Sequence, residues 1–193
     1  MIKNNGFIIG RQAMFQGRRK VGLDTNVFIR IFEQPFLLET EASKIFNYSD
    51  ILYTHAICKW QLIKKLKKKH SEDEAKRIAN DFIQGNNINI IYPKDCYITE
   101  EEYLSFQKMA NEEFKKRGME DSLKCHPPDS IIILAFKKCN INRIISTDES
   151  FRESAKLQGI DGSGLPSFNY LINKQLKKLY GYSRTKKWKR KRN

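Results

Sequence analysis

Val21-Gly22-Leu23-Asp24-Thr25-Asn26-Val27-Phe28-Ile29 carries a short apolar run into an acid, with Thr and Asn immediately behind it. The run reads as a strand over residues 20–24 that delivers a carboxylate to its carboxyl end. Val27, Phe28, Ile31 and Phe32 then fall at helical spacing until Pro35 stops them. Two later acids repeat the placement. Asp129 opens a helical run, residues 130–136, that is otherwise apolar, and Asp148 closes a strand-like run over 143–146. The expectation is that the chain brings these three carboxylates together.

Working outward, residues 38–48 read as a short helix that leads into a strand at 51–53. Thr54 is a candidate N-cap for a helix over 55–69, whose Ile57, Trp60, Ile63 and Leu66 keep an apolar stripe opposite a basic face. Ser71 with Glu74, and Thr99 with Glu102, carry the capping-box spacing for helices ending at Gly85 and Gly118. The stretch NINIIY, residues 87–92, lies between them as a strand. Residues 118–126 are a loop, and Pro127-Pro128 suits the first turn of the helix that contains Asp129. Beyond the strand at 143–146 come a helix over 148–157, a turn-rich connection over 159–164 and a last helix over 165–180. Strands separated by helical patterns argue an α/β domain with a parallel sheet. Ligands of such sheets sit outside the carboxyl ends of the strands, where Asp24 and Asp148 stand.

Length and composition agree with one packed core. The 193 residues are 40% hydrophobic, and no apolar run approaches the roughly 20 residues of a spanning helix. The N-terminal residues 1–19, a basic extension, lack a secretory apolar core, so a cytoplasmic protein without a membrane partner is expected. Cys58, Cys96, Cys125 and Cys139 form no CxxC pair, and the spacing of Cys125, His126 and Cys139 matches no zinc frame, so reduced structural thiols are expected. His55 and His70, which flank the basic helix, read as surface residues.

Charge is the strongest compositional signal, at +14, and half of it lies in the last ten residues. There Arg184, Lys186, Lys187, Lys189, Arg190, Lys191 and Arg192 surround Trp188 with no acid among them. Cations hold phosphates and an aromatic ring stacks on unpaired bases, so residues 181–193 read as an RNA-binding tail of disordered type. The alternative for that tail is a merely solubilising end. Lys64, Lys65, Lys67, Lys68 and Lys69 are either a second RNA-contacting face or an ordinary solvated one.

Three carboxylates in one cleft repel one another unless a cation neutralises them. Oxygen ligands suit Mg²⁺ or Mn²⁺, which supply charge at a phosphodiester. A basic protein with such a cleft is most simply a nuclease. Each acid taken alone has a blander reading, because Asp148 fits an N-cap and Asp129 suits the dipole of its own helix.

The segments Leu23-Asp24-Thr25-Asn26, Pro128-Asp129-Ser130-Ile131 and Ile145-Ser146-Thr147-Asp148-Glu149-Ser150-Phe151 stand in the order seen in PIN-domain ribonucleases. The chain resembles that family over about residues 20–175. The resemblance implies a three-layer α/β/α sandwich over residues 20–180 and metal-dependent RNA cleavage by Asp24, Asp129 and Asp148. It also implies supporting polar groups at Asn26 and Ser146. Partners implied by relatives are RNA and a protein antitoxin, with a homodimer as a further option, and other relatives process ribosomal RNA. The family's usual glutamate, two turns past a residue like Thr54, is replaced here by Lys59-Trp60-Gln61. Gln61 can offer an oxygen, Glu149 can supply a fourth carboxylate, and Asp121 is a lesser candidate. Set against the enzyme, the missing glutamate leaves a second reading: a catalytically weakened RNA-binding module.

Overall fold

The computed structural model describes residues 19–33 and 50–164. The helices expected over 38–48 and 165–180, the N-terminal extension up to residue 18 and the basic tail lie outside the described residues. Five parallel strands among the described residues form one sheet: β1 (Lys20–Leu23), β2 (Ile51–His55), β3 (Asn89–Ile91), β4 (Arg143–Ser146) and β5 (Asp161–Gly164), in the order β3-β2-β1-β4-β5. Six described helices connect them: α1 (Thr25–Glu33), α2 (Ala56–Leu66), α3 (Glu72–Gly85), α4 (Glu100–Lys116), α5 (Pro127–Lys138) and α6 (Glu149–Leu157). Helices α1 to α3 pack in series, as do α4 to α6, which makes the three-layer α/β/α sandwich. No described helix is long and apolar enough to cross a membrane.

Both faces of the central strands are covered, so Val21, Leu23, Ile144 and Ile145 are all buried. Gly22 is required by the close approach of α5. A Cβ built there would stand 2.6 Å from the Phe136 ring, and Phe136 is itself fully buried. The sheet grows from β1 toward β2 and β3 on one side and restarts with β4 and β5 on the other. That reversal opens a crevice between the carboxyl ends of β1 and β4. Helix α5 leads into β4 and runs antiparallel to it, so its N-terminus with Asp129 arrives at the same edge.

Four of the described helices end alike. Asn87, Gly118, Asn140 and Gly159 take positive φ, and the next residue in each case, Ile88, Met119, Ile141 or Ile160, bonds back to the carbonyl five positions earlier. These are Schellman turns, and the apolar residue after each one folds onto its helix. Asn87 and Ile88 therefore belong to the end of α3. The strand expected over 87–92 shortens to β3, and the left-handed residue is Asn87, not Gly85. Thr99 and Glu102 complete a reciprocal capping box, whereas Ser71 accepts the Glu74 N–H.

Three expectations are corrected. Thr54 does not cap α2: it stays in β2 and its hydroxyl donates to the Leu23 carbonyl at 3.0 Å, while His55 Nδ1 accepts the Ile57 N–H at 3.2 Å. His55 is accordingly buried and not at the surface, and burial lowers its pKa. The connection expected over 159–164 contains strand β5, paired with β4 from Arg143 and Asp161 to Ser146 and Gly164. Its glycines leave room for Arg152, since a Cβ on Gly162 would meet the Arg152 carbonyl oxygen at 2.9 Å.

Candidate active site

Asp24 leaves β1 at the crevice with its backbone already fixed. Its N–H donates to the Ile145 carbonyl of β4 at 3.2 Å, and its own carbonyl accepts the Val27 N–H at 3.1 Å. The carboxylate is 5% exposed and engaged at both oxygens, by the Thr25 N–H at Oδ1 and the Ser146 hydroxyl at Oδ2, each at 2.6 Å. Burial raises its pKa above the ordinary range and the nearby Asp148 charge adds to this. The bonds from Ser146, from Thr25 and from the Asn26 backbone act the other way.

Ser146 is the hinge of the arrangement. Its buried hydroxyl donates to Asp24 and accepts the Asp148 N–H at 2.9 Å, so one side chain ties the first acid to the backbone of the third. Asp148 does serve as the N-cap of α6, accepting the Phe151 N–H at Oδ1. Arg152, one turn on, donates to the Ser146 carbonyl at 3.0 Å.

Asp129 stands in the first turn of α5 and accepts the His126 backbone N–H. Its carboxyl is pushed up to about 7, chiefly by burial and then by the charges of Asp24 and Asp148. Asp24 and Asp129 thus both lie within reach of the neighbouring acids' charge. As their side chains stand, no group of three His, Cys, Asp or Glu among the described residues is arranged to hold a metal ion.

Of the trio Lys59-Trp60-Gln61, Gln61 is the one whose side chain reaches a site residue: its Oε1 accepts the Thr25 hydroxyl. Trp60 is 60% exposed. Glu149 is exposed at the start of α6, and Asp121 lies exposed in the turn region before α5. Ser150 accepts the Lys124 N–H at 3.1 Å. Thr25 and Cys58 are additions. Thr25 lies inside the opening motif, and its neighbours there were the only hint of its role. Cys58 carried no signal: its thiol is fully buried near Asp24, Thr25 and Thr54, and burial followed by the Asp24 charge pushes it up to about 12, which keeps it neutral. All four cysteines are free thiols.

A parallel α/β sandwich with acids gathered at its switch point defines a class, and the family model for the PIN domain matches residues 21–157. The chain belongs to the PIN domain family. No curated protein matches it. Its fold is similar to that of VapBC-1 from nontypeable Haemophilus influenzae, at a TM-score of 0.50 and 19% identity over 75% of this chain and 97% of that one. It is likewise similar to VapBC2 from Rickettsia felis, a structure bound to a DNA fragment from their promoter, at a TM-score of 0.51 and 11% identity over 75% and 98%.

Proposed function

We propose that the chain is a divalent-metal-dependent endoribonuclease, with Asp24, Asp129 and Asp148 holding the ion and Glu149 beside them as a fourth carboxylate. The observation that carries this reading is the convergence at the crevice, where one Ser146 hydroxyl binds the Asp24 carboxylate and the Asp148 backbone and where burial and neighbouring charge raise both Asp24 and Asp129. Such carboxylates call for a cation, and membership of the PIN family supports the same conclusion. The donor set fits Mg²⁺ or Mn²⁺, which keep waters and need only one or two carboxylates with substrate oxygens. A bound ion would supply Lewis-acid charge at the phosphodiester.

The chain's own residues do the positioning. Ser146 holds Asp24 by its carboxylate and Asp148 by its backbone, and the Thr25 N–H takes the other Asp24 oxygen. Asp129 has a carboxyl near 7, so its oxygen exchanges a proton readily around neutral pH until a cation displaces that proton.

Cleavage of a short labelled RNA with and without Mn²⁺ tests the proposal. Asp24→Asn and Asp129→Asn should each lose more than the roughly 10- to 100-fold that removal of an outer supporting partner costs, with the fold retained. Unchanged rates in both would move the activity elsewhere. One observation favours the alternative of an RNA-binding module with little catalysis: an amide, Gln61, stands beside Thr25 where an acid would add charge. Gln61→Glu should then raise Mn²⁺-dependent cleavage, and no gain would remove the support for a weakened site.

RNA is the first partner in this reading. A protein partner of antitoxin type is the second, by similarity to the VapBC assemblies. Size measurement of the pure chain, alone and co-expressed with candidate partners, separates monomer, homodimer and complex.

A further inference from the structure

Trp60 is an anomaly on α2. Large aromatic side chains bury on average, yet its ring is 60% exposed, one position before the Gln61 side chain that reaches the acid crevice. The Lys64 ammonium lies 5.2 Å from the ring centroid, one helical turn on, and covers one face by a cation–π contact. The surroundings are cationic. Residues 51–71 contain no Asp or Glu, and Lys64, Lys65, Lys67, Lys68 and Lys69 are all exposed, with Lys67 paired to Glu72 at 2.6 Å.

An exposed Trp carries no function by itself, and the two ligands it suits best are a protein surface and a nucleobase. Protein interfaces are depleted in lysine around their aromatic anchors, and this face is dominated by lysine. A ring flanked by cations suits a base that stacks while its phosphates meet the ammonium groups. We propose that Trp60 and Lys64 form a stacking platform for one unpaired base of an RNA strand, next to the phosphodiester that reaches the crevice. The platform rests on the reading that the substrate is RNA, and it assigns the entry side of that substrate to α2. It selects single strands, because a base inside a duplex is already stacked on both faces.

The test uses the full chain with Trp188→Phe, which makes Trp60 the only indole, and Asp129→Asn, which keeps the RNA intact. Titration with a short unstructured oligoribonucleotide should quench Trp60 emission, and the same sequence as a duplex should not. Trp60→Ala should raise Kd by roughly 5- to 150-fold and Trp60→Phe should recover part of that. The salt slope of Kd should stay unchanged in Trp60→Ala and flatten in Lys64→Ala, because only the second removes a charge. Equal quenching by duplex, or an unchanged Kd in Trp60→Ala, overturns the platform. So does a Trp60→Ala effect confined to self-association, which would make the face a protein interface. Cleavage measured with Asp129 intact, in chains with Trp60 and with Trp60→Ala, separates the two readings. Asp-dependent cleavage with an unchanged KM in Trp60→Ala refutes the platform alone. Quenching without Asp-dependent cleavage refutes the ribonuclease alone.

Discussion

Asp129 is the residue whose titration has the clearest consequence. Its carboxyl stands near 7 in the folded chain against 3.8 for an ordinary Asp, because folding buries it beside two other acids. The folded state therefore binds this proton more tightly than the unfolded state does. Its contribution to stability is complete below about pH 4 and declines as pH rises through about 7. In metal-free buffer, urea unfolding at pH 5 and pH 8 should show the wild type losing on the order of 1–3 kcal/mol more than Asp129→Asn across that interval. Equal losses would mean that the carboxyl ionises without penalty. Ser146→Ala tests the adjoining bond. It strips a buried carboxylate of one donor and the Asp148 N–H of its acceptor, so a loss of about 1–3 kcal/mol is expected by denaturant titration. Weaker Mn²⁺ stabilisation in the same variant would show that the hydroxyl also orients Asp24.

At the scale of elements, two close constraints decide how helices meet the sheet. Gly22 lets α5 lie against β1, and Gly22→Ala would drive a methyl into the Phe136 ring. Overpacking of this kind costs typically about 1–3 kcal/mol, and a second change, Phe136→Leu, should recover part of it by making room. A thermal scan of the single and double variants checks this, and additive losses would mean the two side chains do not collide. The helix ends supply the second constraint. Gly159→Ala forces an L side chain into left-handed backbone at φ 70° and should cost roughly 1–2 kcal/mol, whereas Asn140→Gly should be tolerated. Asn140 leads into β4 and Gly159 into β5, so the alanine variant should also loosen β5.

For the whole molecule, charge separates into a domain and an end. Seven cations lie among residues 184–193, and each phosphate they neutralise on a single strand contributes a slope of about −0.7 in log K against log salt. Full engagement therefore sets a ceiling of roughly −5, and partial engagement gives less. Deleting residues 184–193 should flatten the salt dependence of RNA binding and leave saturated turnover of a short substrate nearly unchanged. Identical slopes would make the tail a bystander. Lost turnover at saturation would put it at the catalytic centre.

Local chemistry was enough to determine most elements. The apolar runs of β1 and β4, the Thr99 box, the paired prolines before Asp129 and the opening Leu23-Asp24-Thr25-Asn26 are each short-range patterns whose physics is complete within one turn or strand. They also exposed the three acids, since an acid at the edge of an apolar run has few local reasons to be there. Tertiary structure alone decided what depends on distant partners. Asp161-Gly162-Ser163-Gly164 has no strand propensity, and it becomes β5 because β4 offers a free edge and Arg152 needs the space its glycines leave. His55 is buried because β2 carries it into the core before α2 begins, a fact its neighbours in sequence do not encode. Likewise, which of Lys59, Trp60 and Gln61 reaches Thr25 beside Asp24 is a matter of helix rotation, fixed by how α2 seats on α1 and α3. The acids' identities were local; the raised proton affinity of Asp24 and Asp129, and the Ser146 hydroxyl shared by Asp24 and the Asp148 backbone, arise from strands brought together across more than 120 residues of chain.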